Sequence, residues 1–183
     1  FDLADKYRNP TMILGDGFLG QMMEPVEFRK TTSPKLQEKT WALTGAKGRP
    51  ANLLRTLYLD PVALEKKNLE INHKIQEMIK NEVRVETYQT DDAEVIIAAY
   101  GTVARIAKTA INVLREKGLK VGLVRPISLF PFPYETFGKI ANKVGKFLVT
   151  EMSFGQMLED VKLGVCDKAQ IQFYGRTGGM VPT

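Results

Sequence analysis

Cysteine, histidine and tryptophan each occur once in this chain of 183 residues, as Cys166, His73 and Trp41. A lone cysteine excludes an internal disulfide and, without a Cys-x-x-Cys pair, an iron–sulfur cluster held by this chain alone. It fits a reducing compartment, so a cytoplasmic location is expected. His73 sits among Asn72, Lys74 and Glu77 with no second His or Cys for a metal site, and away from the strand ends where a Ser/His/Asp relay would lie. We read His73 as a surface residue and Cys166 as a small buried one. No apolar run approaches the ~20 residues of a membrane span. Cations outnumber anions 26 to 21, but the net +5 is scattered, with Lys66-Lys67 the densest group. A nucleic-acid footprint wants a clustered basic face, so none is expected. Phosphate-binding Gly-Lys-Ser/Thr and Gly-x-Gly-x-x-Gly loops are also missing.

What is present is an alternation. Glu94–Tyr100, Leu119–Arg125 and Lys146–Thr150 read as strands, each followed by a helical pattern, which predicts a parallel sheet covered by helices. In the first helix Val103, Ile106, Ala107, Ala110, Val113 and Leu114 recur at helical spacing, with Thr102 as the expected N-cap and Gly118 as the C′ glycine. A shorter helix is expected over 134–142. Another begins at Phe154 or Gly155, with Met157, Leu158, Val161 and Val165 inward. Val83–Tyr88 alternates like a half-exposed edge strand, with antiparallel pairing allowed, and Ala169–Tyr174 supplies a last strand. The expected fold class is α/β: three αβα layers around a mostly parallel sheet of about five strands.

The chain begins Phe1-Asp-Leu-Ala-Asp, with a helix already under way, so we expect a piece of a longer protein. Residues 1–27 read as the remnant of a preceding domain: a helix to about residue 8, a short buried strand at Thr11–Leu14, then the Gly15-Asp16-Gly17 turn into Phe18–Pro25. Residues 28–60 lose all periodicity and read as an interdomain crossover pinned by Trp41. Asp60-Pro61 is an N-cap with proline at the first helical position, opening a helix to roughly Glu82. The principal domain is then 61–183. Gly15-Asp16-Gly17 would suit the metal-diphosphate motif of thiamine diphosphate enzymes, but the asparagine that motif needs is missing; Asn52 comes too late. A strand-terminating turn is the reading adopted.

Ligands or partners of open α/β sheets gather at the carboxyl ends of the parallel strands. The charged residues there are Arg125 and Glu151, taken as neighbouring strand ends, then Gln156, Glu159 and Asp160 on the following helix, and Arg176 in the glycine-rich tail. Internal pairing that fixes loops is one reading. The other is a subunit interface, with Phe130, Phe132, Met152 and Phe154 as apolar anchors. No catalytic, cofactor or metal residue is assigned; the candidate interface residues are Arg125, Glu151, Phe154, Gln156, Glu159 and Arg176.

Six stretches carry a family resemblance: Asp92-Ala-Glu-Val-Ile-Ile-Ala-Ala-Tyr-Gly-Thr102, Leu114-Arg-Glu-Lys-Gly118, Val121-Gly-Leu-Val-Arg-Pro-Ile-Ser-Leu-Phe-Pro-Phe-Pro133, Glu151-Met-Ser-Phe-Gly-Gln-Met-Leu-Glu-Asp-Val161, Gly175-Arg-Thr-Gly-Gly179 and Leu14-Gly-Asp-Gly-Phe-Leu-Gly-Gln-Met-Met-Glu-Pro25. Together they resemble the alpha subunit of 2-oxoacid:ferredoxin oxidoreductases, the 2-oxoisovalerate type most closely and the 2-oxoglutarate type next. The resemblance implies a transketolase C-terminal-like domain preceded by the end of a pyrimidine-binding-like domain, whose Tyr-Pro-Ile-Thr-Pro-type substrate motif is absent here. It further implies a parent complex that decarboxylates a 2-oxoacid on thiamine diphosphate and Mg²⁺, passes electrons through iron–sulfur clusters to ferredoxin and forms an acyl-CoA. Those cofactors would belong to partner chains (beta, gamma and delta subunits). This chain would act in assembly. A free-standing small-molecule module using the strand-end crevice and Arg176, or the equivalent domain of a transketolase or dehydrogenase E1 component, are the alternatives.

Overall fold

The computed structural model describes residues 1–28 and 38–182. Part of the expected crossover, including Thr31-Thr32-Ser33-Pro34, lies outside the described residues. Two compact units emerge: Phe1–Ile13 with Pro25–Met78, and Leu14–Glu24 with Ile79–Thr183.

In the first unit α1 spans Asp2–Tyr7 and ends at Arg8 in the left-handed region, φ 46°. The Arg8 guanidinium lies 4.3 Å from the Trp41 ring centroid, Lys39 pairs with Asp5 at 2.9 Å, and the Asn52 amide donates to the Thr40 and Ala42 carbonyls. Helix α2 spans Pro61–Asn81. Asp60 Oδ2 accepts from the Ala63 amide at 2.9 Å, the expected cap. His73 is exposed, as expected.

The second unit is the α/β body. Its strands are β1 (Val85–Tyr88), β2 (Val95–Ala98), β3 (Val121–Pro126), β4 (Lys146–Glu151) and β5 (Gln170–Gly175); its helices are α3 (Gly101–Glu116), α4 (Tyr134–Ala141) and α5 (Gln156–Val165). The sheet order is β1-β3-β2-β4-β5, antiparallel between β1 and β3 and parallel elsewhere. The three-layer, mostly parallel expectation holds, with the antiparallel strand at an edge.

Two cores follow from the period of two along β2. Ile97 and Ala99 join Val103, Ala104, Ala107 and Ile111 of α3, with Val121 and Leu123, on one face. Ile96 and Ala98 join Phe137, Phe147, Val149, Met157, Val161 and Val165 on the face covered by α4 and α5. Helix α3 ends on Gly118 at φ +81°, whose amide donates to the Arg115 carbonyl, while Leu119 donates to Leu114. Gly122 is glycine for a different reason: a Cβ there would stand 2.6 Å from the Gln89 carbonyl oxygen.

Several local expectations fail. Thr11–Leu14 forms no strand, and Ile13 is 99% exposed, because no neighbouring strand among the described residues offers it a ladder. Tyr100, not Thr102, is the N-cap of α3, and Thr102 is buried inside the first turn. Cys166 is exposed, because the chain leaves α5 there through left-handed backbone at φ 50°. Phe132 is a core residue: its ring stacks on Phe137 at 5.3 Å and 13°.

Candidate functional site at the β2/β4 switch point

The chain leaves β2 toward β3 on one side and returns to place β4 on the other, so adjacent parallel strands β2 and β4 are the topological switch point. Each feeds directly into a helix, and both helix N-termini, with their unpaired N–H groups, open at this place. An anionic ligand would use those ends.

A carboxylate of the chain itself stands at each end, hydrogen-bonded to the amides at α5 and lying beside Gly101 at α3. Glu151, the last residue of β4, is fully buried. It accepts hydrogen bonds from the Met157 and Leu158 amides of α5, each at 3.2 Å, and from the Ser153 hydroxyl. Gly155 turns the chain back through φ +108°, a conformation for which glycine pays no steric cost. At α3 the occupant is Asp16. Its Oδ1 accepts from the Leu19 amide at 2.8 Å, and its Oδ2 lies 3.7 Å from where a Gly101 Cβ would stand. Its carboxyl is held below the usual range, first by the Leu19 amide and further by the Thr102 hydroxyl and amide. No partner stands within hydrogen-bond distance of the buried Thr102 Oγ1, so its pull on Asp16 acts over a longer approach. Between the two acids stands Tyr100, whose phenol is pushed up by burial and by the Glu151 charge, against an opposing hydrogen bond from Ser153.

Sequence reasoning missed Asp16 here. Its Gly-Asp-Gly turn was visible, but nothing local links that turn to the first turn of α3.

The six candidates do not converge. Strand β2 separates Arg125 from Glu151, so they are not neighbouring strand ends. Arg125 Nη1 donates to Glu86 of β1 at 3.1 Å; Lys108 of α3 holds the same carboxylate, and together they lower its pKa, Lys108 the more strongly. Arg125 Nε is buried without a partner. Arg176 extends the ladder by donating its backbone amide to the Glu151 carbonyl at 3.1 Å. Gln156 and Glu159 are exposed on α5, and Phe154 is 84% exposed. Of the four expected anchors Phe130 and Phe154 face outward, whereas Phe132 is core and Met152 packs against the α3 side.

The side chains do not fit a thiamine diphosphate–metal site. Asp16 Oδ1 accepts from the Leu19 amide, the Asn52 amide nitrogen donates to two carbonyls, and no group of three metal-binding side chains occurs among the described residues.

Residues 93–183 match the family model described as pyruvate:ferredoxin oxidoreductase core domain II. The ketoisovalerate oxidoreductase subunit VorB of Methanothermobacter marburgensis is 42% identical over 179 residues, which are 98% of this chain and 51% of that subunit. The chain belongs to the 2-oxoacid:ferredoxin oxidoreductase subunits. Within that family, VorB of Methanothermobacter thermautotrophicus is 40% identical, again over 98% of this chain and 51% of the relative. The 2-oxoglutarate synthase subunit KorA of Methanocaldococcus jannaschii is 30% identical over 93% of this chain and 52% of its own length. A solved 2-oxoglutarate:ferredoxin oxidoreductase from Magnetococcus marinus shares the fold, with TM-score 0.62 at 21% identity over 85% of this chain and 30% of that one. The chain spans about half the length of the curated relatives it matches.

Proposed function

We propose that this chain serves a ketoisovalerate-type 2-oxoacid:ferredoxin oxidoreductase of the cytoplasm as an assembly domain, holding subunits around a cofactor site built elsewhere. The observation that carries this reading is the α5 end of the switch point, where buried Glu151 takes two helix amides that an anionic ligand would need, while Asp16 stands beside the α3 end. The 42% and 40% identities to ketoisovalerate subunits, against 30% or less for the 2-oxoglutarate subunits, favour the branched-chain substrate. In this reading the parent complex carries thiamine diphosphate, Mg²⁺ and iron–sulfur clusters in its other subunits, and uses coenzyme A and ferredoxin. Residues 1–27 finish a pyrimidine-binding-like domain, 28–60 cross over, and 61–183 form the transketolase C-terminal-like domain. The apolar exposure of Met12 and Ile13 supports the first of these, as a surface that other parts of such a domain would cover.

Phe154, Gln156, Glu159 and Arg176 form the subunit contact in this proposal, while Arg125 and Glu151 shape the loops behind it. The test is calorimetry of the 183-residue chain with thiamine diphosphate and Mg²⁺, beside a metabolite thermal-shift screen. No cofactor binding, and no shift with any metabolite, is expected. Tight cofactor binding, or a metabolite shift abolished by Arg176→Ala, would replace the assembly role with a ligand-binding one.

A further inference from the structure

Beyond its place beside the α3 end, the Gly15-Asp16-Gly17 turn opens a segment, residues 14–24, that meets helix α3 at two points. Helix α3 makes no side-chain cap bond of its own, since its N-cap residue is Tyr100. Asp16 lies against the backbone at Gly101 and Thr102, where the first amides of α3 have no carbonyl one turn earlier. Its other oxygen takes the Leu19 amide, and the Gly20 amide donates to its main-chain carbonyl at 3.3 Å, which folds the segment over the carboxylate. At the far end of the segment Glu24 forms an ion pair with Arg105, one turn further along α3.

We propose that Asp16 and Glu24 form a two-point acidic clasp that holds residues 14–24 on the first turns of α3, with Asp16 supplying from a distant part of the chain the cap that this helix lacks. A negative group at the start of a helix satisfies free N–H groups and complements the helix dipole. Asp16 Oδ2 stands beside Gly101, and Glu24 meets Arg105 on the exposed side. A carboxylate committed in this way is not available to a metal, so the Gly-Asp-Gly turn is here a fastening and not a ligand.

Hydrogen exchange of the 183-residue chain tests the clasp by reading the Leu19, Thr102 and Val103 amides. Asp16→Ala should speed exchange at all three by about tenfold, as loss of an ordinary cap implies. Asp16→Asn should stay near wild type, because asparagine caps as well as aspartate. Glu24→Gln, at an exposed position that leaves the fold intact, should loosen residues 22–24 without affecting Thr102. Circular dichroism checks that each variant is folded; if Asp16→Ala fails to fold, protection of Thr102 in the Asn and Gln variants decides. Unchanged Thr102 and Val103 exchange in Asp16→Ala, with Leu19 alone released, would overturn the clasp. So would protection of Leu19 that rises with added Mg²⁺ and loses that response in Asp16→Asn.

Discussion

Glu151 accepts the Met157 amide at 3.2 Å from a position with no solvent exposure, so the end of β4 and the start of α5 are joined through one carboxylate. Removing that side chain strands the buried Met157 amide and takes the acceptor from the part-buried Leu158 amide and Ser153 hydroxyl. Glu151→Ala should therefore cost about 2–4 kcal/mol, summing unsatisfied groups at ordinary penalties. Glu151→Gln retains an acceptor and should cost less. Urea denaturation of both variants checks the order, and equal losses would mean that the amides find other partners.

The Glu86 carboxyl is held below its usual range, chiefly by the Lys108 hydrogen bond and then by Arg125. A carboxylate with a depressed folded-state pKa contributes stability that is present above the unfolded value and lost as pH falls through the folded one. Glu86→Gln should therefore lower stability at neutral pH and flatten the decline between about pH 5 and pH 3. Because Glu86 is about one-third exposed, solvent screening keeps the difference small. Thermal melts of both proteins across that range test it; parallel curves would show that the pair contributes nothing.

Gly122→Ala puts a methyl group 2.6 Å from the Gln89 carbonyl oxygen, a clash with backbone that cannot rotate away. A loss of about 1–3 kcal/mol or more is expected, the ordinary cost of overpacking. Gly145→Ala, where nothing lies within 4 Å, is the control and should be close to neutral. Equal melting temperatures for the two variants would show that the Gln89–Thr90 segment yields.

Phe154 is too exposed to support the fold, and in the proposed assembly role it supports a contact. Phe154→Ser should change the melting temperature of the chain by little and weaken capture of partner subunits at least about tenfold, as loss of an aromatic anchor does. Co-purification of the assembled oxidoreductase reads this directly. Undiminished assembly would move the interface elsewhere.

The periodic parts of the fold were legible in the sequence. Strand–helix alternation, the Gly118 stop and the edge character of Val85–Tyr88 all rest on spacing and local backbone preference. What failed depends on partners remote in sequence. Thr11–Leu14 carries strand chemistry but needs neighbours, and Phe132, flanked by prolines, gives no period by which its inward direction could be read. Glu151 stayed open between loop-fixing pairing and an interface role because its partners are backbone amides, which leave no mark in a sequence. Arg125 and Glu151 looked adjacent because strand order is a property of crossovers, not of residues.

The central place of β2 also sets an order of events during synthesis. Its partner β3 arrives after one helix, while β4, which covers its other side, is made only after a second crossover. Until then the body has an open, uncharged Val-Ile-Ile-Ala edge in its middle, ready to pair with any other chain. A chain ending at residue 145 should scatter light at concentrations where the whole chain stays clear, and β4 would then act as the built-in guard against self-association.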